Sequence, residues 1–374
     1  MKQISPMKVP FVDLKTQYHN LKPEMDKAIF EVIENSAFIG GKTVKDFEDA
    51  FAELYGVKHC ISTANGTDSL FIVMKMLGIG EGDEVITVAN SWISSSETIS
   101  QTGAKPVFVD IHPDYYSMDE NKLEAAITPR TKCIIPVHLH GQMCAIDTIM
   151  EIADKHGIPV LEDCAQSHFS TYKGKRAGTY GLAGSFSFFP GKNLGAYGDA
   201  GCILTNDDDF ALKCIKFARH GALIKHQHEM EGINSRLDGI QAAVLKTKLP
   251  HILNWTDNRR AVAAKYNEML PGIGDVVTPS VRENSEHSYH LYVIRTDQRD
   301  ELKNFLSEKG VGSAIHYPVA LPNMKAYEYL GHSREDFPVA SQYENKILSL
   351  PIFPEMTMEQ IQYVAKTIKE FFSH

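Results

Sequence analysis

A single lysine stands in a glycine-rich stretch of this sequence, where a solvated lysine would be out of place. The stretch runs from Gly184 to Gly201, and Lys192 follows a segment, 185–189, in which serine and phenylalanine alternate as in a short strand. Glycines that let the backbone turn sharply and approach a ligand surround the lysine at positions 191, 195, 198 and 201. Partial desolvation lowers the pKa of a lysine and favours the neutral amine that forms a Schiff base. On this stretch alone, a lysine that merely extends from a loop explains the pattern equally well.

A hydrophobic run that ends in acids favours the reactive lysine. Residues 160–166 read Val-Leu-Glu-Asp-Cys-Ala-Gln, and a carboxylate at the C-terminal end of a strand lies where open α/β sheets bind ligands. Pyridoxal phosphate requires a lysine and a buried carboxylate, because the amine binds the cofactor and the acid keeps its pyridine nitrogen protonated. The two stretches together therefore predict a pyridoxal phosphate site.

The start of one predicted helix offers a place for a phosphate group. The segment 65–70, Asn-Gly-Thr-Asp-Ser-Leu, follows a predicted strand and opens a helix, so its amides and the Thr67 hydroxyl point at a ready anion site. Ser187, on the strand that enters the lysine loop, is a further candidate ligand. Ordinary helix capping and an ordinary strand serine explain the same residues when each is taken alone.

Five further residues are candidates for contacts with a ligand. Trp92 could stack on a planar ring or fill a core. Asn234 and Arg236 stand where a histidine-rich loop becomes a helix, so capping also explains the asparagine. His316 and Tyr317 precede a proline at the end of a predicted strand, which is a position typical of a site.

Two other kinds of site are disfavoured. Histidines at 138 and 140, and at 220, 226 and 228, lack a further ligand at sensible spacing, so we predict no metal centre. The run Gly78–Asp83 resembles a dinucleotide-binding fingerprint, but it follows a predicted helix and precedes a strand, the reverse of the required order. We interpret it as a helix stop followed by a turn.

The elements that must position these residues alternate between strand and helix. Short runs rich in β-formers fall at 59–63, 84–88, 106–110, 133–138, 158–162, 185–189 and 200–205. Helical stretches separate the first five of them, near 67–77, 93–102, 119–127 and 145–156. Regular alternation predicts an α/β fold: a large domain with a mostly parallel central sheet flanked by helices.

The remaining elements suggest a second, smaller unit. Helices are predicted at 22–35, at 44–55 and from just beyond 207 to about 219. A long helical region follows over 236–269, with Arg259 and Arg260 on its polar side. The tail then has a strand at 289–295, a helix at 298–308, a strand at 311–316 and a helix at 357–372. We expect a large domain over 1–250 and a small α+β C-terminal domain over 251–374.

Composition narrows the class of protein. The 374 residues carry 38 Lys and Arg against 47 Asp and Glu, a net charge of −9, which argues against nucleic acid or an anionic membrane as a partner. The six cysteines form no C-x-x-C pair, as expected of a reduced, intracellular protein. The N-terminus lacks an apolar leader region, and no apolar run is long enough to span a bilayer. We expect a soluble cytoplasmic protein.

Taken together, the motifs resemble those of the DegT/DnrJ/EryC1/StrS family of pyridoxal-phosphate sugar aminotransferases, within fold type I. Each segment would be weak alone, but their order along one chain is specific. The segments that carry the resemblance are 9–14 (Val-Pro-Phe-Val-Asp-Leu), 66–70 (Gly-Thr-Asp-Ser-Leu), 82–85 (Gly-Asp-Glu-Val), 162–166 (Glu-Asp-Cys-Ala-Gln), 185–188 (Ser-Phe-Ser-Phe) with Lys192, 234–238 (Asn-Ser-Arg-Leu-Asp) and 316–318 (His-Tyr-Pro).

The resemblance implies a role for each candidate residue. Lys192 would bind the cofactor covalently and move the proton, Asp163 would pair with the pyridine nitrogen, and Gln166 would contact the ring hydroxyl. Trp92 would stack on the ring. Gly66, Thr67 and Ser187 would hold the phosphate together with Asn234 of a neighbouring subunit, which implies a homodimer with shared active sites, while Arg236, His316 and Tyr317 would contact the substrate.

The resemblance also implies a reaction. Relatives with histidine at the lysine position perform dehydration, so Lys192 favours transamination, with glutamate as the usual donor and a nucleotide-linked keto-deoxysugar as acceptor. The Gly-Asp-Ala-Gly ending of the loop 193–201 favours a dTDP-linked 3-keto-6-deoxyhexose, and a 4-keto sugar nucleotide is the alternative. A non-catalytic cofactor-binding regulator need not keep Lys192, Asp163 and Gln166 together. A nicotinamide-dependent enzyme would need a glycine fingerprint after a strand, which is not found.

Overall fold

A seven-stranded sheet forms the centre of the computed structural model, which describes residues 7–373. The strands of the described chain are β1 (His59–Thr63), β2 (Glu84–Val88), β3 (Lys105–Val109), β4 (Thr131–Ile135), β5 (Leu161–Asp163), β6 (Thr171–Tyr172), β7 (Lys175–Arg176), β8 (Ala183–Ser187), β9 (Gly201–Thr205), β10 (Ser285–Glu286), β11 (Tyr292–Arg295) and β12 (Ile347–Leu350). Its helices are α1 (Leu14–Asn20), α2 (Lys22–Glu34), α3 (Gly41–Tyr55), α4 (Gly66–Met76), α5 (Ser94–Thr102), α6 (Glu120–Leu123), α7 (Ile146–His156), α8 (Asp208–Ala218), α9 (Gly239–Lys248), α10 (Ile252–Met269), α11 (Arg299–Glu308), α12 (Pro338–Tyr343) and α13 (Met358–Phe371).

Parallel pairing dominates the central sheet. Strand order β1-β9-β8-β5 is continued by β4-β2-β3, and the parallel bridges Ile134 to Val160 and Val137 to Asp163 join the two parts. Only β9 runs antiparallel to its neighbours β1 and β8 among these strands. The predicted α/β class with a mostly parallel sheet is confirmed. Because β5 and β8 are parallel, with Asp163 opposite Ser185, their C-terminal ends meet at the same edge.

Strand alternation divides the core between the two faces of the sheet. In β9, Cys202 and Leu204 join one apolar cluster, whereas Ile203 joins another. The first cluster packs α3, α7 and α9 against the sheet, and the second packs α4, α5 and α8. Both faces are thus covered by helices, as parallel sheets require.

A third apolar cluster lies in the C-terminal part of the chain. It joins α10, α11 and α13 to the antiparallel pair β11 and β12, and it also takes in Val9 from the N-terminal segment. The domain boundary at residue 250 stays a prediction.

Some elements differ from those expected. The helical region 236–269 is divided into α9 and α10 by a 3-10 turn, Leu249–His251, because Pro250 lacks the N–H that would continue the helix. The expected strand 311–316 forms only isolated bridges, from Val311 to Val9 and from Ala314 to Ser349. Strand β12 was not expected, since an apolar run of four residues is too short to identify by periodicity. No helix within residues 7–373 has both the length and the apolar composition to cross a membrane.

Candidate active site

A cavity of about 700 Å³ opens at the C-terminal ends of β5 and β8. The structure brings nine of the eleven predicted site residues to its wall: Gly66, Thr67, Trp92, Asp163, Gln166, Ser187, Lys192, His316 and Tyr317. Two of the predicted residues, Asn234 and Arg236, do not line it. Residues that lie up to 251 positions apart in sequence, as Gly66 and Tyr317 do, therefore converge on one cavity.

Lys192 occupies a tight loop after β8. The Lys192 N–H donates to the Phe189 carbonyl at 2.8 Å, and a Cβ on Gly195 would lie only 2.3 Å from the Pro190 carbonyl oxygen, so the loop needs glycine there. The amine of the buried Lys248 donates to the Gly195 carbonyl at 2.7 Å and so stabilises the loop. Burial lowers the pKa of Lys192 to about 8, although the Asp163 carboxylate acts in the opposite direction. A minority of the amine is therefore neutral at physiological pH, far more than for a solvated lysine, and the shift has the direction predicted from its setting.

Asp163 is a buried carboxylate held by two hydrogen bonds. Ser95 Oγ donates to its Oδ2 at 2.8 Å and the Ala165 N–H donates to its Oδ1 at 3.1 Å. Burial raises the pKa of Asp163, against the effect of the Ser95 hydrogen bond. Within residues 7–373 this carboxylate has no ion-pair partner. A buried carboxylate without a countercharge favours the binding of a cationic ligand. The protonated pyridine nitrogen of pyridoxal phosphate is such a group.

The N-terminus of α4 faces the same cavity. Asn65 caps the helix by accepting a hydrogen bond from the Asp68 N–H at 2.7 Å. A Cβ on Gly66 would lie 2.7 Å from Ser187 Cβ, so only glycine lets the helix start approach the end of β8. Thr67 Oγ1 shares a hydrogen bond of 2.7 Å with Ser94 Oγ. Free amides, Thr67 and Ser187 thus form a cradle that fits a phosphate.

Gln166 and its neighbours form the wall opposite this cradle. Gln166 Oε1 accepts from the His140 N–H at 2.8 Å and Gln166 Nε2 donates to the Tyr317 hydroxyl at 2.9 Å, so the amide has one orientation. Trp92 is 59% exposed, with its ring centre 5.8 Å from that of Tyr317. It lies at the cavity mouth and not in the core. Burial, together with the charge of Lys192, lowers the pKa of His316 to about 4.

Two predicted residues lie outside the cavity of their own chain. Asn234 and Arg236 are exposed, and Asn234 pairs with Arg219 as an isolated antiparallel bridge. Their predicted roles require a second subunit and stay predictions.

The predicted position of Arg259 was wrong. Helical periodicity placed it on the polar side of its helix, but its residue exposure is 4% and it lines the cavity. The reason is tertiary: carbonyl groups from distant segments surround the guanidinium. Ser95 was not among the residues predicted from the sequence, although the three consecutive serines 94–96, shortly after Trp92, offered a signal.

A buried pair supports the strand that carries Asp163. Glu162 accepts hydrogen bonds from His138 Nε2 at 2.9 Å and from the N–H groups of Gly178, Tyr180 and Gly181 at 2.7–2.8 Å. The Cys144 N–H donates to His138 Nδ1 at 3.1 Å, so that nitrogen carries no proton. The pair therefore joins β4, β5 and the segment before β8 into one rigid base for the site.

Most of the chain matches the model of one known protein family. The model of the DegT/DnrJ/EryC1/StrS aminotransferase family matches residues 19–369. The chain is 45% identical to the "Pleiotropic regulatory protein" of Geobacillus stearothermophilus, over 98% of this chain and 100% of that one.

Two other relatives have names that state a reaction. The chain is 42% identical to a UDP-2-acetamido-2-deoxy-3-oxo-D-glucuronate aminotransferase of Pseudomonas aeruginosa, over 96% of this chain and 99% of that one. It is 38% identical to a dTDP-3-amino-3,4,6-trideoxy-alpha-D-glucose transaminase of Streptomyces venezuelae, over 97% and 96%. The crystal structure of S. venezuelae DesV, with a ketimine intermediate, superposes with a TM-score of 0.96 at 38% identity, covering 98% of this chain and 99% of that one.

Proposed function

Because the chain belongs to the DegT/DnrJ/EryC1/StrS aminotransferase family, we propose that it transfers an amino group from an amino acid to a nucleotide-linked keto sugar. Membership confirms the resemblance seen in the sequence, the aminotransferase activity and the dependence on pyridoxal 5′-phosphate. The observation that carries the proposal is the convergence of Lys192 and Asp163 in one cavity beside the start of α4.

The residues of the cavity fit the cofactor. When bound, pyridoxal phosphate supplies the carbon that takes up nitrogen and a ring that withdraws electrons. Asp163, held by Ser95 and Ala165, would accept a hydrogen bond from the ring nitrogen. Gly66, Thr67 and Ser187 would bind the phosphate, and Gln166 and Trp92 the ring.

Lys192 would hold and move the proton at its Nζ atom. A general base works best when its pKa lies near the working pH, and burial brings the pKa of Lys192 to about 8. No hydrogen bond or ion pair engages the Nζ atom within residues 7–373, so the amine is free to reach a bound substrate. A non-catalytic regulator does not require a free amine with a pKa near the working pH. Lys192 therefore favours an enzyme, although one relative is named as a regulatory protein.

For the substrates, we propose glutamate as donor and a dTDP-linked 3-keto-6-deoxyhexose as acceptor. Two relatives bear names that place the reaction at the third carbon, and Asp199 of the loop 193–201 lines the cavity near Lys192. A loop beside the reactive amine sets how the sugar lies, and a small displacement of the reacting carbon is costly to the rate.

A spectroscopic assay tests both half-reactions. The loaded protein should show the visible absorption band of the cofactor, and glutamate should bleach this band. A 3-keto sugar nucleotide should restore it, and NMR of the product should show nitrogen on the third carbon. Both dTDP-linked and UDP-linked keto sugars are assayed, because the P. aeruginosa and S. venezuelae relatives have names with different nucleotides. Efficient amination of a 4-keto sugar, with the 3-keto isomer untouched, would contradict the assigned position.

We further propose a homodimer whose active sites are shared. Exposed apolar side chains lie on α2 and just after it, namely Phe30, Ile33, Phe38 and Ile39. The Phe38 carbonyl accepts from the Gly239 N–H at 2.7 Å, so this patch adjoins the segment that carries Asn234. An apolar patch beside a polar residue that faces away from its own cavity supports an interface there.

Complementation tests the shared site. Lys192→Ala and Asn234→Ala should each be inactive, yet mixing them with subunit exchange should restore activity. Each mixed dimer contains one complete site, so an equal mixture should recover about a quarter of the wild-type activity. Mass spectrometry measures the exchange. Proven exchange without recovered activity would show that Asn234 serves its own chain.

A further inference from the structure

Arg259 lies in the wall of the cavity, but none of the cofactor contacts proposed for the site involves it. It stands on α10 with 4% of its surface exposed. Its Nη1 donates to the backbone carbonyls of Tyr289, His290 and Ile352 at 3.2, 3.4 and 2.9 Å. These three bonds fix the plane of the guanidinium.

The other edge of the guanidinium is unused. Arg259 Nε is buried and has no hydrogen-bond partner, and Nη2 makes no hydrogen bond or ion pair within residues 7–373. The Nε and Nη2 hydrogens point in parallel, at the spacing of the two oxygens of a carboxylate. A buried donor without a partner is costly, so this edge favours an anionic ligand of planar, two-oxygen shape.

The surrounding charges leave this edge without a partner from the protein. Glu355 acts electrostatically on both Arg259 and Lys248, but in the described chain it forms an ion pair with neither. Burial raises the pKa of the Glu355 carboxyl group, which weakens its charge further. Arg259 and Lys248 are therefore both buried cations without an ion-pair partner in the described chain.

Arg259 shares its cavity with Lys192, and this indicates which ligand would bring the carboxylate. Arg259, Lys192 and His290 all line the cavity, and the charges of Arg259 and Lys192 both act on the His290 ring. Every α-amino acid carries its carboxylate on the carbon that bears the amine, whereas a keto sugar carries one only if it is a uronate. We propose that the Nε and Nη2 edge of Arg259 binds a carboxylate of the amino donor, an inference that rests on the proposed function.

The test compares two adjacent arginines. Arg260 is the matched control, because it donates to the His287 carbonyl and pairs with Asp257 at 2.9 Å, away from the cavity. Bleaching of the loaded enzyme is followed with glutamate and with 2-aminopropane, an amine without a carboxylate. Arg259→Gln should raise the glutamate concentration for half-maximal rate by about 30-fold, the value of one charge-assisted hydrogen-bond pair. It should leave the slow reaction with 2-aminopropane unchanged, and Arg260→Gln should change neither.

A binding measurement on the wild-type protein provides a readout apart from activity and does not depend on a variant that folds. Glutarate, a dicarboxylate without an amine, should raise the melting temperature and compete with glutamate, whereas its diamide should do neither. Arg259→Lys, which retains the charge but not the fork, should weaken glutarate binding by a smaller factor than Arg259→Gln.

Any of four outcomes would overturn the inference. The first is an equal loss of rate with both amines in Arg259→Gln, which indicates a structural role. The second is a glutamate response equal to that of Arg260→Gln, and the third is glutarate bound no better than its diamide. The fourth is a loss seen only when a uronate sugar nucleotide is the acceptor, which assigns the carboxylate to the acceptor. Failure of the proposed function is distinct, because then the wild-type enzyme itself reacts with no amino acid.

Discussion

Replacing Lys192 with alanine should leave a folded protein that transfers no amino group. The side chain makes no hydrogen bond or ion pair in the described chain, and burial lowers the pKa of its amine, so the charged form costs stability at pH 7. Its removal should therefore not lower the free energy of unfolding. Its amine is the proton-moving group of the cavity, and loss of such a group lowers the rate by at least about 10³-fold. Turnover with glutamate and a keto sugar nucleotide measures the rate, and thermal denaturation checks the fold.

Lys248 provides the control for this prediction. Burial also lowers the pKa of Lys248 to about 8, but its amine donates to the Gly195 carbonyl and does not line the cavity. Borohydride reduction of the loaded wild-type protein, followed by peptide mass spectrometry, should therefore find the cofactor on Lys192 alone. Cofactor on Lys248, or appreciable turnover by Lys192→Ala, would refute the assignment.

The second large effect is expected from Asp163→Asn. A neutral amide cannot stabilise a protonated pyridine nitrogen, so the rate should fall by about 10²-fold or more. Burial raises the pKa of Asp163 in the folded state, so the folded protein binds this proton more tightly than the unfolded chain does. The carboxylate therefore costs stability as the pH rises through the range between the two pKa values. The cofactor-free Asp163→Asn protein should consequently melt no lower than wild type at pH 7.

Glu162, which precedes Asp163 on β5, provides a comparison between a buried acid with a structural role and one with a catalytic role. Glu162 accepts hydrogen bonds from His138 and from three backbone N–H groups, and these bonds lower its pKa against the effect of burial. Glu162→Gln should therefore lower the melting temperature while it reduces the rate less than Asp163→Asn. A wild-type rate in Asp163→Asn would show that a residue other than Asp163 contacts the pyridine nitrogen.

Local patterns in the sequence were sufficient for the central sheet and for the two main catalytic candidates. Strands β1 and β2 have the bounds that their runs of β-formers predicted. Lys192 and Asp163 could be paired because acids and glycine-rich loops that follow strands of one parallel sheet come to the same edge. These inferences need only neighbouring residues and a rule of topology.

Long-range packing decided the rest. Helical periodicity reports which face of α10 a residue occupies, but not which distant segment covers that face. Arg259 is buried because carbonyl groups 30 and 93 positions further along the chain lie against it. Ser95 contacts Asp163 across 68 positions for the same reason, whereas Asn234 stays outside its own cavity. A sequence pattern contains no information on such partners, since their contacts depend on how whole elements pack in three dimensions.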